Sequence, residues 1–504
     1  MKTTRGKTIK KVIFIEPKPP DLHVFARMPL PRLGTVLLGT QLKEHGYEVK
    51  SYVEVLDELD LEEVLSADVV GISCITSTSM RSYEIAKLIK EAGIPVFMGG
   101  PHVTFMAEEA LEYCDYVLRG ETDDVFLDFI KAIETGEGLD AIAGICYRKN
   151  GKVFKNSVVP FCKDVNSLPC PDFTIMKGFE KDPYQKICIT PIMTSRGCPF
   201  DCSFCSVTAM FGRKYRFRKK ELVLEELRRN KEGGGKWVFF YDDNFVADKK
   251  RTKELLKAMI DADLTPKWTA QVRVDVAKDP ELMDLMKKSG CHTVYIGFES
   301  VNPETLELYN KGQTVGDIES CITKLHRNGI RIHGMFVFGS DQDTVDTIHK
   351  TVKFAKKNDL ETVQFLILTP LPGTRVYDEM DKEDRIISKD WSLYDAHHVV
   401  FKPKLMSYYE IQNETLKASK EFYSMPQIFK RALRLDLFNV SLKTYGRNVT
   451  KNWVKNNQYF LDYTKKLTLA GKKVELAARK TAEDVKEKFR QIKPPTKAAH
   501  SKSH

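Results

Sequence analysis

Ile189-Thr-Pro-Ile-Met-Thr-Ser-Arg196-Gly-Cys198-Pro-Phe-Asp-Cys202-Ser-Phe-Cys205 runs an apolar, strand-like segment directly into three cysteines. Ile189–Ser195 reads as a buried strand. The cysteines follow with three and then two residues between them. Thiolates bind the iron of iron–sulfur clusters, usually four to a cluster. The other eight cysteines, at 74, 114, 146, 162, 170, 188, 291 and 321, form no second close group. A closed zinc knot would need a fourth Cys or His nearby. Cys198, Cys202 and Cys205 are therefore the candidate metal ligands. A 4Fe–4S cluster on them keeps one iron open to a non-protein ligand.

Beyond the cysteines the chain alternates strand and helix signals. Strand-like runs recur at Trp237–Tyr241, Lys267–Val272, Thr293–Phe298, Ile332–Phe338 and Thr362–Leu368, with helical patterns such as Lys220–Lys231 and Lys250–Ala262 between them. This is a βα-barrel rhythm of about six units, where a closed barrel needs eight. We expect a partial (β/α)6 TIM barrel over 190–400. Active sites in such folds lie at the carboxyl ends of the strands. The residues that end these strands are therefore singled out: Asp242 and Asp243, Arg273, and Glu299. Asp395-Ala-His397-His398 reads more readily as packing histidines than as a metal or acid–base site.

Before the cysteines, Lys11–Glu16, Asp68–Cys74, Pro95–Gly100 and Tyr116–Gly120 read as buried strands separated by helices, the first helix lying in LGTVLLGTQLKEHGYEV. Continuous apolar strands with intervening helices imply a parallel, doubly wound, Rossmann-like α/β sheet over 11–160. Ligands bind such sheets beyond the strand ends. Ser73, Thr76, Ser77, Thr78 and Ser79 offer hydroxyls there. Gly99, Gly100 and the turn Pro101-His102 let backbone approach a ligand. Residues 161–189 lack periodicity and read as a linker. From about Met406 the pattern is helical, so 401–504 reads as a helical C-terminal region. Leu467, Ala470, Val474, Ala478, Ala482, Val485, Phe489 and Ile492 make one apolar stripe on a basic helix, followed by a tail, PPTKAAHSKSH, of disordered composition.

The spacing CxxxCxxC with Phe204 before the last cysteine resembles the radical S-adenosylmethionine superfamily. The stretches GCPFDCSFCSVTAMFGRKYRFR, FFYDDNF, IGFES and TPLPGT resemble its cobalamin-binding subgroup, which includes the anaerobic magnesium-protoporphyrin monomethyl ester cyclase and lipid and hopanoid methylases. The likeness spans roughly residues 11–425. It implies that Cys198, Cys202 and Cys205 hold the cluster and that S-adenosylmethionine chelates the open iron. One electron then cleaves it to methionine and a 5′-deoxyadenosyl radical, which abstracts hydrogen from an unactivated carbon. It further implies S-adenosylmethionine contacts from Phe204, Asp242, Asp243, Arg273 and Glu299. Asp242 and Asp243 stand where the superfamily often has Gly-Gly-Glu. Cobalamin contacts are implied for Ser73, Thr76, Ser77, Thr78, Gly99, Gly100 and His102. The loop around Leu30–Gly34 lacks the Asp-x-His-x-x-Gly of mutase-type cobalamin domains, so no His in that pattern ligates cobalt; His23 and Arg32 lie in this loop without an assigned role. The expected reaction is methyl transfer or oxidative cyclisation of a lipid-like or tetrapyrrole substrate, with flavodoxin or ferredoxin as electron donor. The alternatives are a methylthiotransferase acting on transfer RNA and a non-catalytic sensor. The first needs three further clustered cysteines, whereas Cys74, Cys114 and Cys146 are scattered.

Charge narrows the partners. The net charge is +10, yet residues 426–504 hold 19 Lys/Arg against 6 Asp/Glu and the first 425 residues hold 60 against 63. A near-neutral body with a basic end argues against a nucleic-acid partner. It is compatible with contact of the basic tail with a membrane surface. No stretch reaches the roughly 18 apolar residues of a membrane-spanning helix. The N-terminal apolar run is too short for a signal peptide, and the chain reads as cytoplasmic.

Overall fold

The computed structural model describes residues 8–20, 30–157 and 161–491. Its first half is one sheet: β1 (Lys11–Glu16), β2 (Glu48–Val53), β3 (Val69–Ser73), β4 (Val96–Gly99), β5 (Tyr116–Leu118), β6 (Ile145–Lys149) and β7 (Lys152–Lys155). The spatial order is β2-β1-β3-β4-β5-β6-β7. The first five strands are parallel, and β6 and β7 close the edge antiparallel. Alternate side chains of β1 serve opposite faces, as strand geometry requires. Ile13 and Ile15 pack in a core with Tyr83 and Ile85 of the helix Ser79–Glu91. Val12 and Phe14 pack with Phe126 and Phe129 of the helix Phe126–Thr135 on the other side. Coverage of both faces is why these strands are apolar throughout.

The second sheet holds six parallel strands in chain order: β8 (Thr190–Ile192), β11 (Trp237–Phe240), β12 (Lys267–Val272), β13 (Cys291–Glu299), β14 (Arg331–Phe338) and β15 (Thr362–Ile367). A two-stranded ribbon of β9 (Ser195–Arg196) and β10 (Arg216–Phe217) carries the chain from β8 toward the cysteines. The sheet is an open barrel with a cluster of buried aromatics packed on one face. Phe240 stacks on Phe245 at 4.5 Å, and both meet the fully buried Trp268 at 5.3 Å.

The structure adds to the sequence reading in several places. The helix expected to close at Gly46 is Leu33–Glu44, with Gly46 at φ +86° turning the chain, and the residues just beyond it form β2. The β6–β7 hairpin had no counterpart in the sequence reading. The 161–189 segment is a packed strap: Cys162, Val165, Leu168, Phe173 and Ile175 are buried against Leu33, Val36 and Leu37 of the first helix and Met193 of the barrel. The last helix, Gln458–Gln491, begins docked on the body, with Thr464 fully buried and Tyr409 N–H donating to Thr468 Oγ1 at 3.1 Å. Of the apolar stripe, the side chains at Val474, Ala478, Ala482, Val485 and Phe489, together with Ile492 and the terminal tail, lie outside the described residues. No described helix is long and apolar enough to cross a membrane.

Candidate active site

The cysteine loop is shaped by Gly197. Its φ is +88°, and a Cβ there would lie 2.6 Å from Lys214 O, so only glycine joins the ribbon to Cys198 without strain. Cys198 N–H donates to Gly212 O at 3.4 Å and Cys205 N–H to Cys202 O at 3.2 Å. The segment after β13 buttresses the loop: Ser203 N–H reaches Tyr309 O at 3.4 Å, and Phe204 meets the Tyr309 ring edge-on at 4.9 Å. All three cysteines are part-exposed. Burial, reinforced by Asp243, pushes the Cys198 thiol up and that of Cys205 to about 12. Among the described residues the only group of Cys, His, Asp and Glu ligand atoms within 4.8 Å of one another is Glu121, Asp123 and Cys162. The three loop sulfurs thus do not converge as on one small ion. Three spread thiols with no fourth protein ligand beside them fit a cluster with one open iron, not a closed zinc site.

The strand-end residues divide sharply. Asp242 is fully buried and accepts from Thr194 N–H at 2.7 Å, Ser195 N–H at 3.1 Å, Thr194 Oγ1 at 2.5 Å and Ser195 Oγ at 2.8 Å. Four donors occupy its carboxylate, so the expected ligand role does not fit it; Asp242 ties β11 to the ribbon. Asp243 is part-exposed and accepts no hydrogen bond among the described residues. Burial, then the Asp242 charge, pushes its carboxyl up to about 7. Arg273 is buried with its guanidinium 3.7 Å from the Phe200 ring centroid and 3.9 Å from Cys202 Sγ. It donates to Lys311 O and makes no ion pair among the described residues. Glu299 takes φ +62°, a strained value for a side-chain-bearing residue. Its buried carboxylate is held by Lys311 Nζ at 2.6 Å.

In the first domain, the order β2-β1-β3 reverses direction between β1 and β3, where doubly wound sheets hold their ligands. Arg32, at the N-cap of the helix Leu33–Glu44, pairs with Glu16 at 3.4 Å and donates to Ser73 O and Oγ at 3.2 and 3.3 Å. Thr76–Thr78 form a short 3₁₀ turn after β3. There Thr78 Oγ1 is bound to Ile75 O, but Ser77 Oγ is buried without a hydrogen-bond partner. Gly100, at φ +109°, abuts Cys74 O, which a Cβ would meet at 2.7 Å. A Cβ at Gly99 would only touch Leu118 of β5, at 3.8 Å, and Gly120 faces open space, with nothing within 4 Å. An orphaned hydroxyl after β3 and an open glycine after β5, both at strand ends, fit the polar nucleotide tail of cobalamin. His102 is deeper than expected. It is buried, with Nε2 3.0 Å from Tyr83 Oη and its ring 5.2 Å from Trp391, so it supports the cradle from beneath. His23 lies outside the described residues. Cys74, Cys114 and Cys146 are buried in this core on three separate segments, where burial pushes each thiol up, rather than together on one part-exposed loop.

The two strand-end faces meet. Arg196, two residues before Cys198, grips Asp123 through both nitrogens at 2.6 and 3.0 Å and Glu121 at 2.9 Å, on the loop after β5. Arg216 of β10 also pairs with Glu121. Tyr241, at the end of β11, is 38% exposed. The sequence reading passed over Arg196, Arg216, Lys311 and Tyr241. Arg196, Arg216 and Tyr241 lie in or beside stretches that carry the family resemblance, whereas Lys311 carried no local signal.

Residues 192–355 match the radical SAM superfamily and residues 26–130 the B12 binding domain. An uncharacterized methyltransferase of Pyrococcus horikoshii is 32% identical over 84% of this chain and 94% of its own length. The bacteriochlorophyllide d C-12(1)-methyltransferase of Chlorobaculum tepidum is 31% identical over 84% of this chain and 90% of its own. In fold, the cobalamin-dependent S-adenosylmethionine radical enzyme OxsB with aqua-cobalamin bound superposes with a TM-score of 0.67, at 18% identity, over 88% of this chain and 72% of that one. The chain belongs to the radical SAM enzymes that carry an N-terminal B12-binding domain, and it is an enzyme of the 4Fe–4S cluster, S-adenosylmethionine and cobalamin.

Proposed function

We propose that this enzyme transfers a methyl group to an unactivated carbon of a tetrapyrrole or polycyclic, lipid-like substrate held in the cleft between its two sheets. The observation that carries this reading is the grip of Arg196 on Glu121 and Asp123, which sets the cysteine loop against the first domain's strand ends. Both relatives named above are methyltransferases, one of them acting on a bacteriochlorophyllide by its name.

In this reading Cys198, Cys202 and Cys205 hold the cluster. Asp243 receives the methionyl ammonium of S-adenosylmethionine, and Arg273, a buried cation with no carboxylate of its own, receives the methionyl carboxylate. Phe204 keeps the cluster side dry, and Glu299, set by Lys311, faces the ribose. Ser73, Thr76, Ser77, Thr78, Gly99 and Gly100 line the cobalamin side over His102, while Asp242 positions rather than binds. The cofactors supply the radical and methyl chemistry; the chain binds, orients and excludes water. Flavodoxin or ferredoxin would supply electrons, and contact with a membrane surface would bring the enzyme to an apolar substrate.

Anaerobically reconstituted protein is expected to bind about four irons and cobalamin, and to release 5′-deoxyadenosine on reduction with S-adenosylmethionine. A deletion strain profiled for tetrapyrroles and lipids should lack a product one methylene heavier than its precursor. Loss of hydrogen without added carbon would select oxidative cyclisation instead. Full cluster loading with no 5′-deoxyadenosine would end the reading.

A further inference from the structure

The helix Met425–Leu433 and the start of the helix Leu437–Asn456 form a corner at the end of the barrel where its strands begin. Arg431 donates to Asp359 O at 2.8 Å, just before β15, and Phe438 lies under the Arg331 guanidinium at 4.9 Å, at the start of β14. The corner is thus opposite the cleft. Ile428 and Arg431 point inward. Met425, Phe429 and Leu433, spaced by four, point outward and are 57%, 63% and 70% exposed. Leu435 and Leu437 extend the patch at 85% and 72%. Leu435 also holds φ +57°, a backbone state that disfavours a branched side chain. A single exposed leucine is ordinary; a contiguous group is a contact surface.

Charge selects the occupant. Residues 425–451 hold six cations and one acid. That acid, Asp436, is turned to Arg431, and the neighbouring Asp359 is shared among Lys430, Arg431 and Arg434. Lys236, Lys267 and Arg331 stand beside the starts of β11, β12 and β14 on the same end. A second copy would set like charges against each other. Apolar side chains rimmed by cations match acyl chains beneath anionic headgroups. We propose that this corner seats the enzyme on an anionic bilayer surface, Phe429, Leu433, Leu435 and Leu437 entering the headgroup–acyl boundary. The proposal rests on the reading that the enzyme works at a membrane, and it places the contact here rather than on the tail. The cleft then faces water.

The test is co-sedimentation of the holoenzyme with vesicles of phosphatidylcholine alone or mixed with phosphatidylglycerol. The parent is expected to bind the mixed vesicles, less so in high salt. Leu433→Ser/Leu435→Ser/Leu437→Ser is expected to lower partitioning by about tenfold or more, with thermal stability and 5′-deoxyadenosine release unchanged. Removal of residues 474–504, which takes away most of the apolar-striped basic helix, should leave most binding in place. Equal binding by the triple variant overturns the proposal, as does absence of binding. So does a parent dimer that the triple variant converts to monomer, which would assign the patch to a second copy. Since vesicle binding and 5′-deoxyadenosine release are read separately, failure of one leaves the other reading standing.

Discussion

Asp242 and Asp243 are adjacent and chemically identical, yet their surroundings give them opposite work. Asp242 satisfies the backbone N–H groups of Thr194 and Ser195, 48 and 47 residues earlier in the chain. Asp243 has no such donors. Sequence spacing placed both at a strand end but could not divide them, because the division depends on where β8 leaves the sheet. Asp242→Ala orphans two buried N–H donors, at about 1–3 kcal/mol each. We expect a loss of about 3 kcal/mol of stability, read by denaturant unfolding. Asp243→Ala should leave unfolding unchanged and weaken S-adenosylmethionine binding by about tenfold or more, read by equilibrium dialysis on the reconstituted enzyme. Equal loss of stability in both variants would place Asp243 in the scaffold as well.

Elements were legible where the signal is local. The six barrel strands and the apolar β1, β3, β4 and β5 announce themselves through short β-branched runs. β2 did not, because Glu48-Val-Lys-Ser carries polar residues toward an exposed sheet edge, and its pattern continues the preceding helix. The β9–β10 ribbon is two residues wide on each side, too short for any periodicity, yet it carries Arg196 and Arg216 to the first domain. Glu121 there is buried with both guanidiniums against it. Leaving a buried charge unpaired costs about 3–5 kcal/mol, and removing one of two guanidiniums costs less because Arg196 still holds Glu121. Arg216→Met should therefore loosen the domain contact and speed limited proteolysis within residues 161–189. The barrel alone would still release 5′-deoxyadenosine while methylated product falls. An unchanged proteolysis rate would mean that the strap, not the ribbon, holds the domains together.

At the scale of the molecule, three crossings stand out among the described residues, and only Arg196 in one of them belongs to a motif. The strap packs on the first helix and on Met193. The ribbon arginines reach Glu121 and Asp123. Trp391, beyond the last barrel strand, returns to donate its indole N–H to Glu109 at 2.8 Å beside His102 of the first domain. Composition gave only a domain count and the basic C-terminal charge; the crossings pair residues far apart in sequence that no local pattern links. They make a physical demand, since a ligand that stabilises the first domain must also stabilise what is packed upon it. A ligand at a hundred times its dissociation constant adds about 2.7 kcal/mol to the folded state. Hydroxocobalamin should thus shift a single calorimetric unfolding transition upward as a whole. In Trp391→Ala the same ligand should move only part of the heat absorption, splitting the transition. If the parent already shows two transitions and cobalamin moves only one, the domains unfold independently and the three crossings position the cofactors without coupling their stability.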